Sequence, residues 1–535
     1  SVMRSMRVGI CAAKVARRRE PVKGSRLLLD GMVAKRSEEE RAAGGAWATF
    51  RADLRTGWAE LVKRTSRAHA RWVLVVIAVG AILRLSQLWQ DITYDEALAY
   101  TLYGTRSTGF ILSNYVHPSN HILHTVLSRW STELFGVHLW SLRLPAFLAG
   151  VLVLPLFYVF TRAMFNRYIA LLALAMAAGS GVLVEYSALA RGYSLTWLFL
   201  VAGWLAGRYH AKTGNAVGGV LVAVANALGM WAVPTMLFGA LACYAWLALY
   251  LVASYRSSLG RRTAQLGLSF ALFILLTLAA YAPVVSAHSL DHLLHHPALG
   301  EATWSGFLGA HQDSSFALWA FINDAGHALL SLIGFVGVVY AAWVSSKYRI
   351  MLVALLLGAV PLTILRMAVA PPQVWSYILF NLHISSGIAL FYLLKVVQER
   401  VFTGFGKRTR TVVGAGAMLA LMGGLGLYGI QGRVPRFKDA HEAADFLKGL
   451  VRPEDRVLLE HPNQAAFTFY VLAEGMDAGL VAPPAGGSGR QYALVGPADG
   501  QTLASVLKHN GLAAADTVRF KLMKDWKRLE LWGPR

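Results

Sequence analysis

Long apolar stretches separated by short polar ones dominate this chain between positions 71 and 430. A bilayer core about 30 Å thick is crossed by about 20 helical residues, so stretches of this length predict membrane-spanning helices. Eleven spans are predicted, at 72–90, 144–162, 169–186, 194–211, 216–232, 234–253, 265–286, 327–345, 349–367, 375–395 and 411–430. The pattern therefore predicts an all-α polytopic membrane protein.

Basic residues occupy every second loop between successive spans, beginning with Arg162 and Arg167 in the loop after the second span. Such residues mark the cytoplasmic side, so the first loop (91–143) and the loop 287–323 are predicted to be exoplasmic. Residues 1–71 contain 17 Lys and Arg against 7 Asp and Glu, a net charge of +10, and share the cytoplasmic side. This segment is either a solvated basic tail or a contact for anionic lipid headgroups.

The composition supports the membrane prediction and excludes other classes. Hydrophobic residues make up 56% of the chain and the mean hydropathy is +0.47. Cys11 and Cys243 fall in different compartments, so no disulfide framework is expected. No nucleotide-binding fingerprint is present and no nucleic-acid partner is expected. An exoplasmic site lacks ATP and nucleotide sugars, so its chemistry must use energy already attached to a carrier.

The pattern changes after position 430, where charges become frequent and nearly balanced, with 14 Lys and Arg against 12 Asp and Glu. Helices are predicted at 439–450 and 463–474, and strands at 456–460, 491–495 and within 520–532. An odd number of spans places this region outside the cytoplasm. We predict three domains: a cytoplasmic segment (1–71), a transmembrane domain (72–430), and a small exoplasmic α/β domain without a catalytic motif (431–535).

Two adjacent carboxylates, Asp95 and Glu96, follow Tyr94 at the start of the first exoplasmic loop. Thr93 and Glu96 have the spacing of a capping box, in which the two side chains bond each other's backbone N–H groups at a helix start. That structural role accounts for Glu96 and leaves Asp95 without an explanation. Ionised groups beside an apolar bilayer core indicate chemistry.

Histidines follow in the same loop, at His117, His121 and His124. Their spacing allows all three to line one face, either as metal ligands or as hydrogen-bonding groups of a polar groove. No fourth ligand is evident, so we expect the groove and no bound metal, and leave a divalent-metal cofactor open. The stretch 121–135 is predicted to be an amphipathic helix in the membrane interface. A second set of histidines is expected to face solvent: His288, His292, His295 and His296.

Several short motifs occur in an order typical of one family. They are Asp95-Glu96, His117-Pro118-Ser119-Asn120-His121, Phe135-Gly136, Arg143-Leu144-Pro145-Ala146 and Ala190-Arg191-Gly192-Tyr193-Ser194-Leu195. In this order the chain resembles the polytopic C-type glycosyltransferases, similar to protein O-mannosyltransferases and the lipid A aminoarabinose transferase. The resemblance covers roughly residues 72–400. It implies the C-type glycosyltransferase fold and inverting transfer of a sugar from a polyprenyl-phosphate donor, with the acid of the first loop, Asp95, at the reaction centre.

Physical chemistry supports the same assignment independently. A hydroxyl that attacks an anomeric carbon loses its proton as the bond forms, so Asp95 is the candidate base, with Glu96 beside it. The leaving phosphate is already an anion and requires cations, which Arg191 suits because its guanidinium stays charged and forked. Snorkelling to the interface is the alternative for Arg191. Tyr193 is a further donor-phosphate candidate, and so is Arg143, for which ordinary interfacial anchoring is the alternative. Arg84 is predicted to face the bundle interior, either as a structural partner or as a second phosphate contact. The substrate-groove candidates are Tyr94, His117, Asn120 and His121.

Two positions depart from the commoner family pattern: Ser119-Asn120 stands where a second proline is usual, and Gly192 where bulkier residues often stand. These departures bear on the donor sugar and the acceptor, which is a lipid, a glycan or a protein. We expect an inner-membrane enzyme whose site faces the exoplasmic side. The alternative is a secondary transporter or lipid flippase, which places its binding site near the bilayer midplane and often has internal repeats.

Overall fold

The computed structural model describes residues 44–63, 65–255, 259–289, 303–324, 328–400, 435–481 and 489–535, with isolated positions between 404 and 424. The chain forms two compact units, Ser1–Ala70 and Arg71–Arg535. Helix α1 (Ala46–Lys63), in the first unit, exposes Trp47 and Trp58. The predicted domain boundaries stay predictions.

Helices account for most of the second unit. In chain order they are α2 (Arg67–Leu85), α3 (Tyr94–Ala99), α4 (Thr108–Ser113), α5 (Ile122–Phe135), α6 (Leu139–Met164), α7 (Arg167–Gly179), α8 (Gly181–Tyr186), α9 (Tyr193–Thr213), α10 (Ala216–Ala232), α11 (Leu237–Ser254), α12 (Leu259–His288), α13 (Trp304–Asp324), α14 (Ala328–Val344), α15 (Ser346–Arg366) and α16 (Ile378–Arg400).

Ten of the eleven predicted spans coincide with helices, and the eleventh, 411–430, lies almost entirely outside the described residues. Within the described part of the chain, six helices are long and apolar enough to cross a bilayer: Arg67–Leu85, Leu139–Met164, Pro234–Ser254, Leu259–His288, Ser346–Arg366 and Pro372–Val397. Shorter apolar helices occur at Arg167–Gly179, Ala216–Ala232 and Gly334–Val344. The polytopic helical fold is confirmed, and the number of spans stays a prediction.

The structure differs from the prediction in two places. The third predicted span is broken at Ser180, whose extended backbone (φ −62°, ψ 117°) separates α7 from α8. The predicted loop 287–323 contains most of the 21-residue helix α13, which the sequence pattern did not indicate. Polar residues such as His311 and Asp313 interrupt the apolar run there, so the segment lacks the hydropathy of a span although its residues favour a helix.

Close helix packing builds the core that supports the site. Gly358 of α15 faces α11, where an added Cβ would lie 2.6 Å from the backbone N of Ala242 and 2.7 Å from the carbonyl oxygen of Phe238. Only glycine therefore allows the two backbones to approach this closely. In the same core, the buried Trp197 of α9 donates its indole N–H to the Ser376 hydroxyl at 2.9 Å, which satisfies the polar end of the ring.

A small sheet domain follows the helices. Its elements are α17 (Lys438–Lys448), β1 (Arg456–Leu458), α18 (Asn463–Ala473), β2 (Gln491–Val495), α19 (Leu503–His509), β3 (Phe520–Asp525) and β4 (Glu530–Pro534). The strand order is β1-β2-β4-β3, with β1 and β2 parallel and the other pairs antiparallel. The predicted helices and strands of this region are confirmed, with the predicted strand-rich segment resolved into a hairpin.

The sheet domain packs directly on the first loop. Tyr100 meets Phe469 edge to face at 5.4 Å, and the backbone N–H of Ile92 donates to the hydroxyl of Tyr470 at 2.9 Å. His441 lies 3.1 Å from the Asp91 carboxylate, and this hydrogen bond raises the pKa of His441 and lowers the pKa of Asp91. The loop that carries Asp95 is therefore held from the side of the C-terminal domain.

Candidate active site

The predicted capping box forms at the start of α3. The N–H and hydroxyl of Thr93 each donate to Oε2 of Glu96 at 3.0 Å, and the Glu96 N–H donates to the Thr93 hydroxyl at 3.4 Å. Asp95, one position earlier, is exposed. In the described part of the chain, neither a hydrogen bond nor a salt bridge engages its carboxylate. Local folding therefore uses Glu96 and leaves Asp95 available to a substrate.

Glu96 is paired with Arg143 inside the protein. Nε and Nη2 of the arginine donate to the two carboxylate oxygens at 2.7 and 2.8 Å, and both side chains have no exposed area. The Ala190 N–H adds a third donor at 2.6 Å. Burial alone would raise the pKa of Glu96, but the charge and hydrogen bonds of Arg143 outweigh it and lower the pKa to about 2. Glu96 is thus a fixed anion whose oxygens are already occupied.

The remaining donors of Arg143 are also taken. Nη1 donates to the carbonyl of Leu88 at 3.0 Å, and Nη2 to the carbonyl of Asp91 at 3.1 Å. The guanidinium thus ties the end of α2 and the first loop to α6. We therefore revise the expectation for both residues: Glu96 and Arg143 form a structural pair and are not assigned to catalysis or to phosphate binding.

Arg84 lies inside the bundle, as predicted, with no exposed area. Its Nη1 donates to the carbonyl of Ala178 at 3.0 Å, Nη2 to that of Ala177 at 3.3 Å, and Nε to the Ser187 hydroxyl at 3.2 Å. The last carbonyls of a helix lack intrahelical partners, so Arg84 satisfies the end of α7 where the chain breaks. These contacts fit the structural alternative predicted for Arg84 and give no support to a phosphate contact.

Arg191 differs from these two arginines. It is 7% exposed, and its Nη1 donates to the carbonyl of Ser119 at 3.0 Å, while Nη2 lies 3.2 Å from Nε2 of His121. Its Nε is buried with no hydrogen-bond partner among the described residues. None of the carboxylates in the described ranges forms an ion pair with it. A nearly buried cation without a counter-ion is costly unless an anion joins it.

Two tyrosines connect Arg191 with Asp95. Tyr193 meets Tyr186 edge to face at 5.4 Å. Both phenols lie close enough to Asp95 to interact electrostatically with its carboxylate. The Tyr193 phenol also lies near the side chains of Arg191 and Gln373. The structure therefore gathers Asp95, Arg191 and Tyr193, which the sequence assigns to one site.

Other predicted groove residues fall into two groups. Tyr94 is half-buried and meets His461 of the sheet domain edge to face at 4.9 Å, so it borders the site. His121 is buried against Tyr193 at 5.2 Å between ring centres. Asn120 is fully buried instead, and its amide donates to the carbonyls of Ile111 and Asn114 at 3.0 and 2.8 Å. Asn120 therefore holds the loop in shape.

His117 closes the loop locally. Its Nδ1 lies 2.9 Å from the Ser119 hydroxyl, and its backbone N–H donates to the Tyr103 hydroxyl at 2.8 Å. His124 packs near the Ser128 hydroxyl. Within the part of the chain that the structure describes, no three His, Cys, Asp or Glu side chains are placed to hold a metal ion. The predictions for His292, His295 and His296 lie outside the described residues.

Gly192 is required by packing. A Cβ there would lie 2.7 Å from the carbonyl oxygen of Ala232 and 2.8 Å from Cγ2 of Val233. The close contact with the end of α10 positions the neighbouring Arg191 and allows the Gly192 N–H to donate to Nδ1 of His121 at 2.8 Å. The departure from the family pattern therefore has a local steric reason.

Sequence reasoning missed the roles of Tyr186, Gln373 and His461 at this site. Gln373 follows Pro371 and Pro372 in the chain and lies near Tyr193, 180 residues away, so no local pattern links the two. Tyr186 ends the broken third span, and no residue pattern distinguishes it from an interfacial aromatic. His461 comes from a domain that has no catalytic motif of its own.

Known proteins resemble this chain both in sequence and in fold. Residues 117–281 match the sequence model of the dolichyl-phosphate-mannose-protein mannosyltransferase family. The fold is similar to that of ArnT from Cupriavidus metallidurans in the apo state, with a TM-score of 0.56, 14% identity, and coverage of 87% of this chain and 98% of that one. ArnT bound to undecaprenyl phosphate gives a TM-score of 0.52 at 14% identity, covering 86% and 98%. No match to a curated protein sequence is found.

These comparisons confirm the predicted resemblance to the polytopic C-type glycosyltransferases. The structural likeness, at 14% identity, establishes the fold alone. The family match supports a glycosyltransferase activity and a polytopic membrane location.

Proposed function

We propose that this chain, which has the C-type glycosyltransferase fold, transfers a sugar with inversion from a polyprenyl-phosphate donor to a hydroxyl acceptor at the exoplasmic face of the inner membrane. The observation that carries the proposal is the nearly buried Arg191, whose charge has no carboxylate partner in the described ranges and which shares its tyrosine neighbours with the exposed Asp95. Arg191 lacks a neighbouring anion, and the carboxylate of Asp95 lacks a group that gives it a proton. A phosphorylated sugar and an acceptor hydroxyl supply both.

Asp95 acts as the general base. The acceptor oxygen forms a bond to the anomeric carbon while its proton passes to the Asp95 carboxylate, which is exposed and free of internal hydrogen bonds within the described residues. The bond between the anomeric carbon and the phosphate oxygen breaks on the opposite face. Attack from one face and departure from the other inverts the configuration.

Arg191 stabilises the leaving group. The electron pair of the breaking bond stays on the polyprenyl phosphate, whose negative charge grows in the transition state. A guanidinium that is already desolvated loses little hydration when it contacts this phosphate, so the interaction is stronger than a surface contact. The hydrogen bond from Nη1 of Arg191 to the Ser119 carbonyl keeps the guanidinium oriented.

Two further observations support the choice of donor. The related fold of ArnT has been observed with undecaprenyl phosphate bound, which makes this carrier the first to test here. The loop pattern of Lys and Arg favours an exoplasmic position for the first loop, where nucleotide sugars are absent.

The test is conversion of lipid-linked sugars by the purified protein. We expect the full-length chain in detergent, mixed with a bacterial envelope lipid extract, to release undecaprenyl phosphate detectable by mass spectrometry. Arg191→Ala should release far less, whereas Arg349→Ala, in the distant helix α15, should match the wild type. Detergent micelles have no compartments, so a transporter or flippase would leave the lipid-linked sugars unchanged. Absence of release by the wild type with every extract would contradict the proposed reaction.

A further inference from the structure

The imidazole of His121 is held by contacts on both nitrogens. His121 precedes α5, is 4% exposed, and meets Tyr193 edge to face. Its Nδ1 lies 2.8 Å from the backbone nitrogen of Gly192, and its Nε2 lies 3.2 Å from Nη2 of Arg191. Both neighbours are hydrogen-bond donors, whereas a neutral imidazole has only one accepting nitrogen.

The two contacts determine where the imidazole proton resides. The Gly192 N–H points at Nδ1 at the shorter distance, so Nδ1 must accept and carry no proton. The proton of the neutral ring is then on Nε2. The opposite tautomer would place two N–H groups against each other at 2.8 Å, and a doubly protonated ring would do the same.

Charge and burial favour the neutral ring as well. Burial and then the nearby Arg191 lower the pKa of His121 well below its usual value. Nε2–H of His121 and Nη2–H of Arg191 are therefore two adjacent donors that lie 3.2 Å apart without an acceptor between them in the described residues. Nε of Arg191 is a third buried donor without a partner in the same part of the chain.

We propose that Nε2–H of His121 and the guanidinium of Arg191 donate together to the phosphate oxygens of the polyprenyl-phosphate lipid, with His121 as a neutral second ligand of that phosphate. This inference rests on the proposed function and adds a residue to it. Without a ligand, Nε2–H of His121 and Nη2–H of Arg191 face each other with no acceptor among the described residues. A phosphate oxygen can accept from both groups at once. A ring fixed by Gly192 also positions the phosphate relative to Asp95.

The experiment measures binding of undecaprenyl phosphate to the full-length protein in detergent. In His121→Asn the shorter side chain retains an oxygen that can accept from Gly192 but has no group near Nε2, so we expect Kd to rise about 10- to 100-fold. His121→Gln reaches farther and offers an amide N–H near Nε2, so it should recover most of the affinity. His210→Asn is the matched control, because His210 is a similarly buried histidine near the opposite end of α9, and it should bind as the wild type does.

Two further probes identify the part of the lipid that is recognised. Undecaprenol lacks the phosphate, so its binding should not change in His121→Asn; an equal loss for undecaprenol would show damage to the fold and overturn the inference. Inorganic phosphate should bind far more weakly than undecaprenyl phosphate. If it binds as tightly and displaces the lipid, the site takes free phosphate and the lipid assignment is overturned.

Arg191→Ala separates this inference from the proposed function. If Arg191→Ala weakens binding of undecaprenyl phosphate and His121→Asn does not, the second ligand is refuted and the donor site stands. If Arg191→Ala binds the lipid as the wild type does, the donor site itself is refuted. Weakening by both variants, with recovery in His121→Gln, is the predicted result.

Discussion

The buried pair of Glu96 and Arg143 provides a prediction about the stability of the site. Both side chains have no exposed area, and two hydrogen bonds of 2.7 and 2.8 Å join them. Removing one member of such a pair leaves the other charge buried and uncompensated, which costs about 3–5 kcal/mol. Glu96 keeps its donors from Thr93 and Ala190 in Arg143→Met, so we expect that variant near the lower end of the range.

The structure also predicts how the two substitutions combine. Glu96→Gln leaves Arg143 charged, although the carbonyls of Leu88 and Asp91 continue to accept from it. The double variant Glu96→Gln/Arg143→Met removes both charges, so it should cost less than the sum of the single variants. The non-additive part reports the interaction between the two side chains.

The assay is unfolding by SDS in mixed micelles, followed by tryptophan fluorescence for each variant. Lys438→Met is the control, because Lys438 and Glu442 form an exposed pair at 3.2 Å whose loss should cost less than about 1 kcal/mol. Single variants of Glu96 and Arg143 that lose no more than this control, or that add without coupling, would refute the structural role assigned to the pair.

Three further predictions concern the surroundings of the site. Gly192→Ala should destabilise the protein by about 1–3 kcal/mol in the same unfolding assay, because its Cβ would meet the Ala232 carbonyl at 2.7 Å; unchanged stability would contradict that packing. The pKa of His441 is raised by its hydrogen bond with Asp91, so this pairing stabilises the fold fully below about pH 6.5. The stabilisation is lost as pH rises through the pKa of folded His441. Over that range, Tm of the wild type should therefore fall relative to Tm of His441→Gln. Arg191→Lys keeps the charge and loses the fork, so its kcat should lie between those of the wild type and Arg191→Ala; identical kinetics in all three would indicate interfacial anchoring.

Much of the architecture could be predicted from the sequence because apolar length and charge placement are local properties. The spans, the capping box at Thr93, and the helices and strands of the C-terminal domain all depend on residues close together in the chain. The break at Ser180 and helix α13 were missed for a related reason. A hydropathy threshold records whether a segment is apolar enough to span, and it does not record where a helix bends or whether a less apolar segment is helical.

The site was predictable in part. Asp95, Arg191 and Tyr193 were selected by charge, residue type and motif, and the structure brings them together. Arg143 and Arg84 carry the same charge as Arg191, and only three-dimensional partners distinguish them. Arg143 pairs with Glu96, 47 residues away, and Arg84 bonds the carbonyl end of α7, so every guanidinium nitrogen of both arginines already donates within the described residues.

The contribution of the C-terminal domain was not predictable. The contact of His461 with Tyr94 joins residues far apart in sequence that belong to different predicted domains. Neither residue has a motif that indicates the other. The contact depends on how the sheet domain docks on the first loop, through a shared core that includes Tyr100 and Phe469.

The most direct test of the central claim is the turnover of Asp95→Asn with a polyprenyl-phosphate sugar in detergent. The substitution keeps the size of an exposed side chain and removes its ability to accept a proton, so the protein should fold normally and bind undecaprenyl phosphate with unchanged affinity. Turnover should fall about 10²- to 10⁴-fold, while Asp445→Asn, an exposed aspartate in the sheet domain, should match the wild type. Near-normal turnover by well-folded Asp95→Asn would contradict the assignment of Asp95 as the catalytic base.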